Sequence, residues 1–212
     1  MGTVERGAVG EMPVFGEHPA LDLVNSTFVR GGLRGHPVDV LVEPSDLVVW
    51  VERQAEWLDP ADAPAGELGA AELAAFLELR RALRAVLTAV VAGEPAGAAD
   101  VAVVNAAVRA APGWVELSPG AVGTGVRRSV AGERGAVLLG RVAQSAVELL
   151  TGDRRDLVRA CPAPGCILFF LQRHARRSWC SASCGTRVRV ARHSRRHAAE
   201  HAAGHAAGHT EE

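Results

Sequence analysis

Along most of this chain apolar positions recur with a helical period, and in one place they alternate as in a strand. In "DLVVWVERQAEWL", Leu47, Trp50, Val51 and Trp57 fall at helical spacing. Ser45, after Pro44, suits an N-cap there, with Asp46 in the first turn. The longest periodic run spans Glu67 to Val91. Phe76, Leu79, Leu83, Val86, Leu87 and Val90 form its apolar stripe, and Arg80, Arg81, Arg84 and Thr88 fill most of the other side. Val101 to Ala110 and Ala136 to Leu150 predict two more helices, the second with Leu139, Val142, Ala146 and Leu149 on one face. Near the start, "HPALDLVNSTFVR" (His18 to Arg30) reads as a short buried helix with Pro19 in its first turn, followed by a loop, "GGLRGHPVD".

The period changes after Gly113. Val115 and Leu117 alternate with Glu116 and Ser118, Pro-Gly turn chemistry follows, and Val126 and Val130 lie beyond it. That pattern predicts a β-hairpin. The Gly-rich stretch from Gly120 to Arg128 also has the residue types of a phosphate cradle, but it lacks the strand-then-helix context and a lysine. A hairpin turn is the simpler reading.

Composition agrees with a helical core. Hydrophobic residues make up 48% and aromatics only 4%, so the core must be built from Ala, Val and Leu. The expected fold is mostly α with a small β-hairpin, an α+β N-terminal domain over residues 1–152. No apolar run approaches the roughly 18 residues of a membrane span. The first residues lack the basic-then-apolar pattern of a signal peptide. A cytoplasmic, reducing setting is therefore expected, with no membrane partner.

Charge divides the chain. From Arg154 to Arg196 there are eleven Arg and one acid, Asp156, while the rest carries twelve Arg against 23 acids. An acidic body with a strongly basic end is the distribution of a chain that meets a polyanion at one end. The sequence has no Lys, which excludes Walker-type, Schiff-base and Ser-x-x-Lys chemistry.

All four cysteines lie in that basic end. Cys161 and Cys166 are separated by four residues, Cys180 and Cys184 by three, and thirteen residues lie between the pairs. Two close pairs with a short connector are what a tetrahedral Zn²⁺ site needs. Two disulfides, or four unrelated buried thiols, are the alternatives. Pro162, Pro164 and Gly165 suit a rigid knuckle at the first pair. "ILFFLQ" then reads as a strand, "RHAR" as a turn and "RSW" as a return strand. Ser181 or Ser183 suits the cap of a helix running through "RVRVARHSRRH". Knuckle, hairpin and helix make a treble-clef-like zinc finger over residues 153–197. Four Cys ligands leave no open position, so the one Zn²⁺ would be structural rather than catalytic.

"CPAPGC", the Leu-Phe-Phe strand and "RRSWCSASCGTR" together resemble the CGNR zinc finger, here with Thr186 at the Asn position and Leu171-Gln172 where the family usually has an Asp. "ALDLVNS" and "DLVVWV" are similar to the start of the ABATE domain that normally precedes that finger. The resemblance implies a bacterial transcription regulator.

The residues make a separate case for nucleic acid. Arg189, Arg192 and Arg196 share one face of the expected last helix, with Arg187 and Arg195 beside them. Arg173, Arg176 and Arg177 on the finger's turn widen the positive surface. Arginine pairs bidentately with phosphates and with guanine edges, which makes DNA the expected partner. A solvated charged helix and a protein- or RNA-interaction surface are the competing readings. His193, His197, His201, His205 and His209 recur every four residues, within helical reach of one another. Gly204 and Gly208 weaken a helix there, and residues 198–212 read as a flexible tail.

In the body, Asp22 and Asn25 sit on an otherwise apolar helix. Either they are satisfied polar groups inside the domain or, with Trp50 and Trp57, they line a pocket for a small effector. His18, Asp22 and Ser26 hold the residue types of a hydrolase triad without its surrounding motif. No nucleophile, base and orienting group come together, so no enzyme is expected. The expectation is a zinc-dependent DNA-binding transcriptional regulator with an effector-sensing or homodimerising body. A zinc-stabilised protein- or RNA-interaction module, or a thiol redox sensor, is the alternative.

Overall fold

The computed structural model describes residues 4–58, 65–119 and 123–207, and for 126–128 and 195–207 the backbone alone. Its organising element is helix α1, Pro19–Asn25, in which all seven residues are buried. Pro19 occupies the first helical position, where its fixed φ and missing N–H are harmless. The helix stops at Asn25, short of the expected Arg30. Ser26 turns the chain, its N–H and its hydroxyl both bonding the carbonyl of Leu23 at 3.2 and 2.7 Å.

Thr27–Arg30 is instead a strand, β2, antiparallel to β3, His36–Asp39, with Phe28 opposite Val38. β-branched Thr27 and Val29 suit extended backbone, and β3 lies where a loop was expected. Glu5–Arg6 (β1) adds to the other edge of β3 in parallel, so the sheet order is β1-β3-β2.

Helix α2, Pro44–Arg53, begins one residue before the expected Ser45 cap. The Asp46 carboxylate caps it, accepting the N–H groups of Val42 and Glu43 at 3.0 and 2.9 Å. A break at Gln54 separates α2 from the short α3, Ala55–Leu58. Helices α4 (Ala70–Ala92), α5 (Ala98–Ala110) and α6 (Arg134–Thr151) follow their predicted segments. The predicted hairpin is present as β4 (Gly113–Pro119) and β5 (Thr124–Val130), with Leu117 opposite Val126.

The helical stripes converge. Phe76, Leu79, Leu83 and Leu87 of α4 are buried with Leu21, Leu23 and Val24 of α1 and with Leu138, Val142 and Leu149 of α6. Trp50 meets Phe76 edge-on at 6.0 Å between ring centres. Each such side chain contributes roughly 1.5–3 kcal/mol by leaving water. The polar side of α4 departs from its solvent-facing expectation. Arg80 bonds both Asp39 oxygens at 2.7 Å and the Ser26 hydroxyl at 2.9 Å. Arg84 reaches the carbonyls of Val24, Thr27 and Ile167. Of these three arginines Arg81, on Asp100, lies outward as the pattern implies, as does Thr88.

The C-terminal end opens with β6, Val158–Ala160, antiparallel to β7, Phe169–Leu171, and closes with α7, Ala182–Ala207. Ser178 and Trp179, expected in a return strand, are not in one; the partner of β7 lies before the first cysteine. Phe169, Phe170 and Leu171 are buried in the same core as α1 and α4. α7 continues to Ala207, through residues where a flexible tail was expected. Among the described residues no helix is long and apolar enough to cross a membrane.

Candidate metal centre and nucleic-acid interface

The hairpin β6–β7 carries the first cysteine pair at its tip. The Cys161 N–H bonds the Leu168 carbonyl, closing the hairpin, and the Cys166 N–H bonds the Ala163 carbonyl, closing the knuckle, both at 2.9 Å. Gly165 takes the left-handed conformation the knuckle needs, with φ +73°. Cys180 lies just before α7 and Cys184 in its first turn, where the Cys184 N–H points at the Ser181 hydroxyl. Sulfur separations are 3.8 Å for Cys166–Cys180, 3.5 Å for Cys180–Cys184 and 3.7 Å for Cys184–Cys166, and all four ligand atoms lie within 4.8 Å of one another.

Those distances test the metal. Sulfurs about 2.3 Å from a tetrahedral Zn²⁺ stand about 3.8 Å apart, close to what is seen. No pair is near bonding distance for a disulfide; all four are free thiols. Cys161, Cys180 and Cys184 are buried, and Arg187 donates to the Cys184 sulfur at 3.0 Å, offsetting thiolate charge. The thiols of Cys166 and Cys180 favour thiolate at Cys161 by hydrogen bonding, holding it far below the ordinary thiol range, and are themselves pushed up. Four sulfurs this close become thiolates together only around a cation. The centre is a structural zinc site, and with four protein ligands it has no position for a substrate.

The finger is seated on the body by polar contacts that the sequence reading missed. Asn25 donates to the Phe169 carbonyl at 2.8 Å and accepts the Phe169 N–H at 3.0 Å, inside the core. Glu17 accepts the Leu171 N–H at 2.8 Å and pairs with Arg177. Arg177 also donates to the Cys180 carbonyl at 2.9 Å and lies over the Phe170 ring. Arg84 reaches the finger through the Ile167 carbonyl at 2.8 Å. Gly165 abuts the backbone of Gly32 and Leu33 so closely that a Cβ there would lie 2.4 Å from the Gly32 carbonyl carbon. Arg84 lies on the side of α4 opposite the apolar stripe, so no local pattern marked it as reaching buried acceptors.

The eight arginines expected on nucleic acid divide. Arg177 and Arg187 are held inside the finger, by Glu17 and Cys184 respectively. Arg173 is exposed with one bond to the Glu17 carbonyl, at 3.1 Å. Arg176, Arg189 and Arg192 are exposed. The side chains of Arg195 and Arg196, with His197, His201, His205 and His209, lie outside the described residues. A shallow groove of about 370 Å³ runs along the start of α7, lined by Arg176, Trp179, Ser181, Gly185, Thr186 and Arg189. Thr186, at the family's Asn position, accepts Arg189 at 2.9 Å, and Gln172 braces the turn by donating to the Arg177 carbonyl at 3.0 Å.

The four residues expected around an effector do not share a pocket. Asp22 is fully buried, accepting Gln54 and the Gly16 N–H at 2.9 Å each. Burial pushes its carboxyl up to about 6. Asn25 is spent on Phe169, and Trp50 is enclosed in the core. Trp57 alone, 42% exposed, borders a cavity, a different one, of about 820 Å³ between α3, α6 and the β4–β5 hairpin.

The family model for ABATE, described as a putative stress-induced transcription regulator, matches residues 17–153. The CGNR zinc finger model matches residues 158–197. No curated protein matches the chain.

Proposed function

The chain belongs to the ABATE family, joined here to a CGNR zinc finger, and we propose that it is a cytoplasmic DNA-binding transcription regulator that acts by binding, not catalysis. The observation that carries the reading is the exposed face of α7. Arg189 and Arg192 project from a helix that carries one zinc ligand, Cys184, in its first turn and is preceded directly by another, Cys180, with Arg176 alongside. A helix fixed in this way presents its guanidinium groups without a large ordering cost on binding. Two of the finger's other arginines are consumed by Glu17 and Cys184, which leaves a defined, outward-facing set for phosphates and base edges. Trp179 and Thr186 in the same groove add a flat ring and a hydroxyl.

The test is fluorescence anisotropy of the zinc-loaded chain on a pool of genomic duplex fragments, over a salt series. Replacing Arg189 and Arg192 together by Gln should weaken binding by about 10- to 100-fold and lower the salt slope by about 2. Unchanged affinity and slope would defeat the reading. A preference for single-stranded RNA over duplex would transfer the surface to the interaction-module alternative.

A further inference from the structure

The cavity beside Trp57 is not accounted for by zinc or by DNA. Its walls come from His18 and Pro19 at the start of α1, Trp57 and Leu58 of α3, the facing sides of α6 and the β4–β5 hairpin, and Gly152, Asp153 and Arg154 just after α6. Two indoles border it, Trp57 at 42% and Trp114 at 49% exposure, an unusual amount of uncovered aromatic surface in a chain with only four tryptophans. Val130, Val137 and Leu149 supply the apolar floor.

Among the described residues of the lining, the less exposed charges are the two cations. Arg141 and Arg154 are half-buried, whereas the acids of the lining, Glu148 and Asp153, are exposed. Arg154 lies over the Trp57 ring at 6.0 Å, and Arg141 is positioned by the Leu58 carbonyl. Water screens the exposed acids of the rim more than the half-buried guanidinium of Arg154, which sets a positive charge beside the Trp57 ring. Next to this, His18 is 4% exposed, lies against Trp57 at 5.3 Å between ring centres, and keeps a buried Nδ1 with no hydrogen-bond partner among the described residues. Burial, aided by the charges of Arg154 and Arg173, holds that imidazole neutral, down to about 4. A buried ring nitrogen of this kind gains by meeting a donor or acceptor.

We propose that this cavity is a binding site for a small planar aromatic anion, its ring on the Trp57 and Trp114 indoles and its carboxylate-like group toward Arg154. Stacking on the indoles and a guanidinium beside them select together for a flat ring with one negative substituent. The cavity also lies next to the seat of the finger. His18 follows Glu17 directly in the chain, and Glu17 is the residue that grips Leu171 and Arg177.

The probe is 2-naphthoate, titrated calorimetrically into the zinc-loaded full-length chain at neutral pH. Its neutral amide and the cationic 2-naphthylmethylammonium serve as comparators. One-to-one binding is expected, with the amide and the cation each weaker by about tenfold or more. Trp114→Ala, at a half-exposed position that does not support the core, should weaken naphthoate by about tenfold, and Trp57→Ala by a similar factor. Leu117→Ala, at another largely exposed hairpin position outside the cavity, should leave it unchanged. Absence of saturable binding at millimolar naphthoate, equal affinity for the cation, or affinity unmoved in Trp57→Ala and Trp114→Ala would each overturn the proposal. None of these results depends on DNA binding.

Discussion

Asn25 and Phe169 stand 144 residues apart in the chain and hold each other by two hydrogen bonds, amide side chain to peptide group, inside the core. The arrangement satisfies a strand edge of the finger with a side chain of the body, which makes the two parts one packed unit.

Replacing Asn25 by Ala strands the N–H and carbonyl of Phe169 in an apolar surround. The expected loss is about 3 kcal/mol of stability, read from denaturant melts of the zinc-loaded chain. Asn25→Asp should recover little of it. It keeps an acceptor for the N–H but turns a second oxygen toward the carbonyl, where the native group is a donor.

Removing the metal should be felt well beyond the finger. Zinc-finger peptides draw on the order of 10 kcal/mol of folding free energy from their ion. Here Phe169, Phe170 and Leu171 also belong to the core of α1 and α4. A strong chelator under reducing conditions should therefore lower the melting temperature of the whole chain in one transition. An unshifted main transition with a separate small one would show that the finger folds apart from the body.

Asp22 sets a pH dependence. Its carboxyl is raised from 3.8 to about 6 by burial, so its stabilising form is the protonated one, complete near pH 4 and lost as pH rises through about 6. His18, lowered from 6.5 to about 4, works oppositely: its contribution is present above 6.5 and lost as pH falls. The wild-type profile is flattened by the pair. Asp22→Asn removes one side, so between pH 4 and 7 the variant should gain on wild type by on the order of 2 kcal/mol. Zinc loss at acid pH affects both proteins and cancels in the difference. A constant gap across that range would show that Asp22 does not titrate there.

Arg80 and Arg81 are neighbours on α4 with different consequences. The Arg80–Asp39 pair is 13% and 18% exposed and doubly bonded, and Arg80→Ala should cost about 3 kcal/mol by leaving Asp39 without its partner. Arg81 is 62% exposed on Asp100, and Arg81→Ala should cost less than about 0.5 kcal/mol. Thermal melts of the two variants side by side give the comparison.

How much was legible follows from how far each signal reaches. The stripe of α4, the alternation at Val115 and Leu117 and the spacing of Cys161, Cys166, Cys180 and Cys184 are properties of short segments. Helical period, strand period and ligand geometry act within a few turns of chain. From these the sequence by itself determined the helices, the long hairpin and a four-thiolate metal centre. It was silent on partners. Whether Asp22 and Asn25 faced an effector or a peptide group, whether Arg84 met water or the Ile167 carbonyl, and which segment paired with β7 were matters for the tertiary structure. A buried polar group must find a partner, but the penalty for lacking one does not depend on where in the chain that partner lies. Glu17 and Arg177 are 160 residues apart, and nothing near either one names the other; only the packing of α1 against the finger brings them together.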